Sequence, residues 1–186
     1  SYIGIFAFIA SAILPAIHVQ AADIEATAGS LVKNESQSAV YYYGTDGNRY
    51  AFPNEKVFFT WYDDFDDVVE ISDEDMADLP LVGIVTYKPG VRMVKIQSVS
   101  KVYAVSAGAV LHWVTTEEVA EALYGSSWNT YIDDVSDAFW YHYSFGGDLT
   151  LSSGYDPDEE ELSAGDIDDD LDSRDDDAVE GSPEAQ

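Results

Sequence analysis

The sequence predicts an α+β fold: two tandem copies of a small antiparallel β-hairpin plus short-helix unit, followed by a disordered acidic C-terminal tail. Three observations predict it. A β-branched and aromatic run, a glycine turn, a return strand and a capped helix follow one another over 39–62. The same order recurs over 101–124. Beyond Asp156 the composition turns strongly acidic.

In the first copy, Val40-Tyr41-Tyr42-Tyr43 suits a pleated, half-buried surface. Asp46-Gly47 supplies the positive φ of a tight hairpin turn. Residues 48–52 return, with Arg49 and Ala51 alternating against Tyr50 and Phe52. Asn54 is placed to cap a helix whose apolar face carries Phe58, Trp61 and Tyr62. In the second copy Val102-Tyr103 answers Val40-Tyr41, Gly108 answers Gly47, and Leu111 and Trp113 answer Tyr50 and Phe52. Thr115 with Glu118 reads as a capping box, which sets Val119 against Phe58. Leu31-Val32-Lys33 matches Met93-Val94-Lys95, Gly29 matches Gly90, and Ile71-Ser72-Asp73 matches Val135-Ser136-Asp137. The expected divisions are an apolar segment 1–22, repeat units 23–82 and 83–149, and an acidic low-complexity tail 150–186. Trp61, Tyr50, Phe52, Leu111, Trp113 and Leu123 are the expected core.

One stretch resembles a hairpin-helix tandem repeat of secreted, envelope-associated bacterial surface proteins of uncertain function. The residues that carry the resemblance are Gly29-Ser30-Leu31-Val32-Lys33, Val40-Tyr41, Asp46-Gly47-Asn48-Arg49-Tyr50, Phe52-Pro53, Trp61-Tyr62, Ser72-Asp73 and Leu79-Pro80. It spans roughly 30–150 and is specific in the first unit. The second unit departs from it at Ala109-Val110 and Val114. The resemblance implies a place outside the cytoplasm and no catalytic residues.

Composition points the same way. Eight Lys and Arg against 36 Asp and Glu give a net charge of −28. That excludes nucleic acid as a partner, because phosphate contacts need cations. With no cysteine there is no disulfide framework and no thiolate chemistry. Residues 2–17 are apolar and uncharged, too short for an ordinary membrane span. Val19 and Ala21 stand at −3 and −1 of a signal-peptidase site, so 1–22 reads as a truncated signal peptide cleaved after Ala21, or after Ala22 by an alternative cut, with no membrane span in the mature form. The alternative is a pilin-like filament subunit that keeps its apolar N-terminal helix.

The tail holds 15 Asp and Glu against Arg174 over 156–186. Such a segment reads as disorder. Asp166, Asp168, Asp170 and Asp172 have the alternate spacing of the first ligands of a calcium loop. Leu171 stands where that loop needs glycine and Asp177 where it needs glutamate. A solvated linker is the expectation, and a weak Ca2+ site at those four aspartates is the alternative. No Ser/His/Asp spacing and no His-Glu-x-x-His occurs. His112 is expected to face solvent, and His142 to be part-buried against a backbone group.

Thirteen Tyr, eight Phe and four Trp are the better functional lead. By strand alternation Tyr41 and Tyr43 face the core and Tyr42 faces out, where it would stack on a sugar. The sequence therefore predicts no enzyme. It predicts a non-catalytic secreted or cell-surface module with a structural, display or scaffolding role. The alternative is a glycan- or cell-wall-binding module. The expected partners are surface glycans or other surface proteins.

Overall fold

The computed structural model describes residues 26–180, with side chains through residue 174. The apolar segment 1–22 and the cleavage expected after Ala21 lie outside the described residues. Among the described residues no helix is long and apolar enough to cross a membrane.

The chain is an α+β structure with two five-stranded sheets. In the first, β1 (Ser30–Asn34), β2 (Tyr41–Tyr43) and β3 (Arg49–Ala51) form an antiparallel meander. Helix α1 (Glu55–Trp61) follows, then β4 (Val69–Ile71), α2 (Asp73–Asp78) and β5 (Leu81–Ile84). β4 adds parallel to β1 and β5 parallel to β3, giving the order β4-β1-β2-β3-β5. In the second sheet, β6 (Met93–Lys95), β7 (Tyr103–Ser106) and β8 (Val110–Trp113) form the meander, and α3 (Glu117–Tyr124) follows. β9 (Ile132–Asp134) adds parallel to β6 and β10 (Ser144–Phe145) parallel to β8. The order β10-β8-β7-β6-β9 is the first sheet read from the other end. β5 runs through Ile84, across the division expected after Val82.

Register relates the sheets residue by residue. Leu31 lies opposite Tyr42 and Met93 opposite Ala104; Val32 lies opposite Tyr41 and Val94 opposite Tyr103. Tyr42 then faces Tyr50 across the hairpin, and Ala104 faces His112. Asn54 caps α1 by accepting Val57 N–H, and Thr116 caps α3 by accepting Val119 N–H. One separation therefore aligns both hairpins and both helices. It sets Tyr50 against His112 and Phe58 against Ala120, a one-residue correction to the expected Tyr50–Leu111 and Phe58–Val119 pairs. The cause is the cap: Thr115, expected to cap, instead donates its hydroxyl to Leu149 O at 2.6 Å.

The faces explain a second correction. Tyr42 is only 2% exposed. It packs with Leu31, Val57 and Phe58 under α1. Tyr41 and Tyr43 lie on the other face, against Val32, Ile71, Met76 and Leu79 below α2. Strand alternation is right in period and wrong in face, because helices cover both sides of this sheet. In the second sheet Met93 and Ala104 pack under α3, while Val94 and Val105 face the opposite way. That opposite face joins the α1 face of the first sheet in one core with Val85, Tyr87 and Tyr143. The units thus stack head to tail, the helix-bearing face of one against the other face of the next.

Of the expected core, Leu111 is fully buried, and Tyr50, Phe52 and Trp61 are half-buried against the shared core. Leu123, on α3, packs half-buried against the cluster beneath that helix. Trp113 is outside all three clusters, with Lys101 Nζ 3.9 Å above its ring.

The described part of the acidic tail is helical over 157–163 and 167–180, contrary to expectation. α4 (Pro157–Ser163) is capped by Asp156, and α5 (Ile167–Glu180) by Asp166, which accepts Asp169 N–H at 3.0 Å. Ala164 and Ile167 are buried, and Leu171 packs half-buried on the shared core. Ile167 and Leu171, one turn apart on α5, with Ala164 between the helices, supply the burial that composition alone hides.

Asp133 fastens the units electrostatically. Its carboxylate is nearly inaccessible and accepts from Arg92 at 2.9 Å and from Lys56, on α1 of the other unit, at 2.5 Å. Burial alone would raise its pKa, but the hydrogen bonds from Arg92 and Lys56 outweigh it and hold the carboxyl below the usual range. A carboxyl depressed in the folded state stabilises above its unfolded pKa, near 4, and that stabilisation fades as pH falls through the folded value. Acid titration of the Asp133→Asn protein is expected to lose less stability below about pH 4 than the parent.

Candidate functional site

Two hollows combine polar groups with aromatic or charged walls. The first is a groove of about 360 Å³ beside α3. Ser100 and Lys101 precede β7, Trp113 ends β8, Thr116 and Glu117 open α3, and Trp128 comes from the 3₁₀ turn Trp128–Tyr131. Lys101 makes no ion pair among the described residues, and its ammonium sits over Trp113.

The first unit holds the counterpart of this groove. It is lined by Ser38, Val40, Phe52, Asn54, Glu55 and Phe58, and measures about 180 Å³. Under the register above these residues answer Ser100, Val102, Val114, Thr116, Glu117 and Ala120, all on the wall of the larger groove. The size difference has a simple cause. Phe52 and Phe58 fill the first groove at 5.1 Å between centroids, and Phe65 stacks on Phe58 at 4.2 Å. Val114 and Ala120 leave that space open in the second.

The second hollow, about 270 Å³, lies where the first hairpin turn, β5 and α5 meet, lined by Asp46, Tyr50, His142, Asp168 and Arg174 among others. Several of its polar groups are engaged with one another and with the backbone. Tyr50 and Asn48 donate to Asp46 Oδ2, each at 2.7 Å. Burial opposes it, yet those bonds hold Asp46 below the usual carboxylate range. Burial, with Arg174 nearby, lowers the pKa of His142, which favours the neutral imidazole. Arg174 donates to Ile84 O at 3.1 Å, to Thr86 Oγ1 at 2.7 Å and to Asp170 at 2.7 Å.

The structure separates the residues singled out in sequence. Tyr42, expected to meet a sugar, donates its hydroxyl to Asp168 Oδ2 at 2.8 Å inside the core. Burial and that carboxylate push its pKa well up. The four aspartates lie at and along the start of a helix, where alternate residues point to different sides. Asp166 caps the helix, and Asp168 accepts from Tyr42 and from Thr45 N–H at 3.1 Å. Asp170 accepts from Gly108 N–H at 3.0 Å and pairs with Arg174, while Asp172 faces the second hollow. Among the described residues no group of three or more acidic or histidine side chains is arranged to hold a metal. His112 is part-buried rather than solvent-facing, with Nδ1 2.8 Å from Gly147 O.

Sequence reasoning missed Lys101, Trp128 and Arg174. Arg174 carried a signal, as the one cation of the acidic segment, four residues after Asp170. Trp128 carried none, because nothing local shows that its ring reaches the groove beside α3. No protein-family model, curated protein or solved structure matches the chain, so its role rests on its own geometry.

Proposed function

We propose that the chain is a non-catalytic secreted or cell-surface module with a structural, display or scaffolding role. One observation carries this reading: its buried charges act as fasteners. Asp170 holds the second hairpin turn and Arg174, Asp168 holds the first turn and Tyr42, and Asp133 ties α1 to the second sheet. A charge engaged in this way makes a rigid body and is not poised for proton transfer or attack. The lack of cysteine and the small residues at Val19 and Ala21 support the compartment.

The test is fractionation of the full chain expressed in a bacterial host with a full leader. The protein is expected in the envelope or the medium, beginning after Ala21, with residues 26–174 surviving limited proteolysis. Accumulation of an unprocessed, soluble cytoplasmic form would contradict the reading.

A further inference from the structure

We propose that the groove beside α3 is a binding site for a neutral pyranose, the single-ring unit of a surface glycan. This goes beyond the structural role above and fails separately from it, since localisation does not depend on sugar binding. The shared register of the two sheets gives this groove a counterpart for comparison. In the first unit the equivalent space contains the Phe52 and Phe58 rings, closed above by Phe65. The second unit keeps the frame but replaces those rings by Val114 and Ala120, both buried in the wall. Trp128 lines the open groove as Phe65 lines the filled one. The groove measures about 360 Å³ against about 180 Å³ in the first unit, and Trp128 gives it an aromatic wall.

The rim indicates the chemistry of the missing ring. Ser100, Thr116, Glu117 and Lys101 offer hydroxyl, carboxylate and ammonium groups at its edge. A pyranose matches this combination, with C–H faces that pack on indole and hydroxyls at its perimeter. A purely apolar side chain would leave those rim groups unanswered. Net charge decides between sugars: at −28 the chain repels uronates and sialic acids, so the neutral hexoses fit.

Titration of the 15N-labelled full chain with cellohexaose, mannohexaose and N-acetylglucosamine oligomers tests this. Polygalacturonate and a Phe-rich peptide serve as controls. One neutral oligosaccharide is expected to shift the Trp113 and Trp128 indole N–H signals saturably, leaving Trp61 and Trp140 still, with Kd on the order of 10⁻⁴–10⁻³ M. Trp128→Ala, at a half-exposed position, is expected to weaken binding at least tenfold while the fold persists. Ala120→Phe, which restores the ring of the first unit, is expected to abolish it. Absence of saturable shifts with every neutral sugar overturns the proposal. So does binding unaffected by Trp128→Ala, or saturation by the Phe-rich peptide alone.

Discussion

Asp170→Ala is expected to destabilise the protein by about 3–5 kcal/mol, the usual cost of breaking a buried ion pair by removing one partner. Asp170 is only 1% exposed and does three things at once. It accepts the Gly108 amide, pairs with Arg174, and so fixes an arginine that also bonds Ile84 and Thr86. The Gly108 turn is costly without it. Ala109 has φ +59, in the left-handed region that costs a non-glycine residue about 1–2 kcal/mol. The Gly108 amide is buried and would lose its acceptor. Urea unfolding of Asp170→Ala, Arg174→Ala and the double variant checks this. The double variant is expected to lie well above the sum of the singles in stability, because Arg174 is harmful mainly when left without Asp170.

Ile167→Ala is expected to cost about 3 kcal/mol, with Leu162→Ala near zero in the same melts. Ile167 is 2% exposed and belongs to the core shared by both sheets, whereas Leu162 is 82% exposed on α4. The two substitutions remove similar apolar groups from one acidic segment. Only docking of α5 against the sheets separates their effects. A solvated tail would make both silent.

Much of the fold was legible in local chemistry. Asp46-Gly47 marks a turn, Asn54 a cap, and the β-branched runs mark strands, and all three stand where the sequence placed them. Leu31–Lys33 and Met93–Lys95 each lie in the first strand of a meander, because short β-strands before a hairpin carry a recognisable pattern. What failed was decided by contacts distant in sequence. Tyr42 was assigned to solvent because alternation gives two faces and does not say that both are covered. Thr115 and Thr116 are equally good caps locally, and Leu149, far along the chain, claims Thr115. The parallel edge strands β4 and β9 pair across loops and leave no local mark. Ile167 and Leu171, spaced i and i+4, were the readable sign of a docking helix, outweighed by the charge around them. The groove beside α3 was least legible, since it is defined by what Val114 and Ala120 lack.

The central claim is that the acidic C-terminal segment is a folded clamp across two stacked units. Native-state hydrogen exchange of the intact chain tests it most directly, read at residues 168–174 and at the Thr45 and Gly108 amides. The structure predicts that the α5 amides and Gly108 exchange as slowly as the central strands, β2 and β7, opening only with global unfolding. Exchange of residues 168–174 at the rate of an unstructured peptide, with the strands still protected, would contradict it.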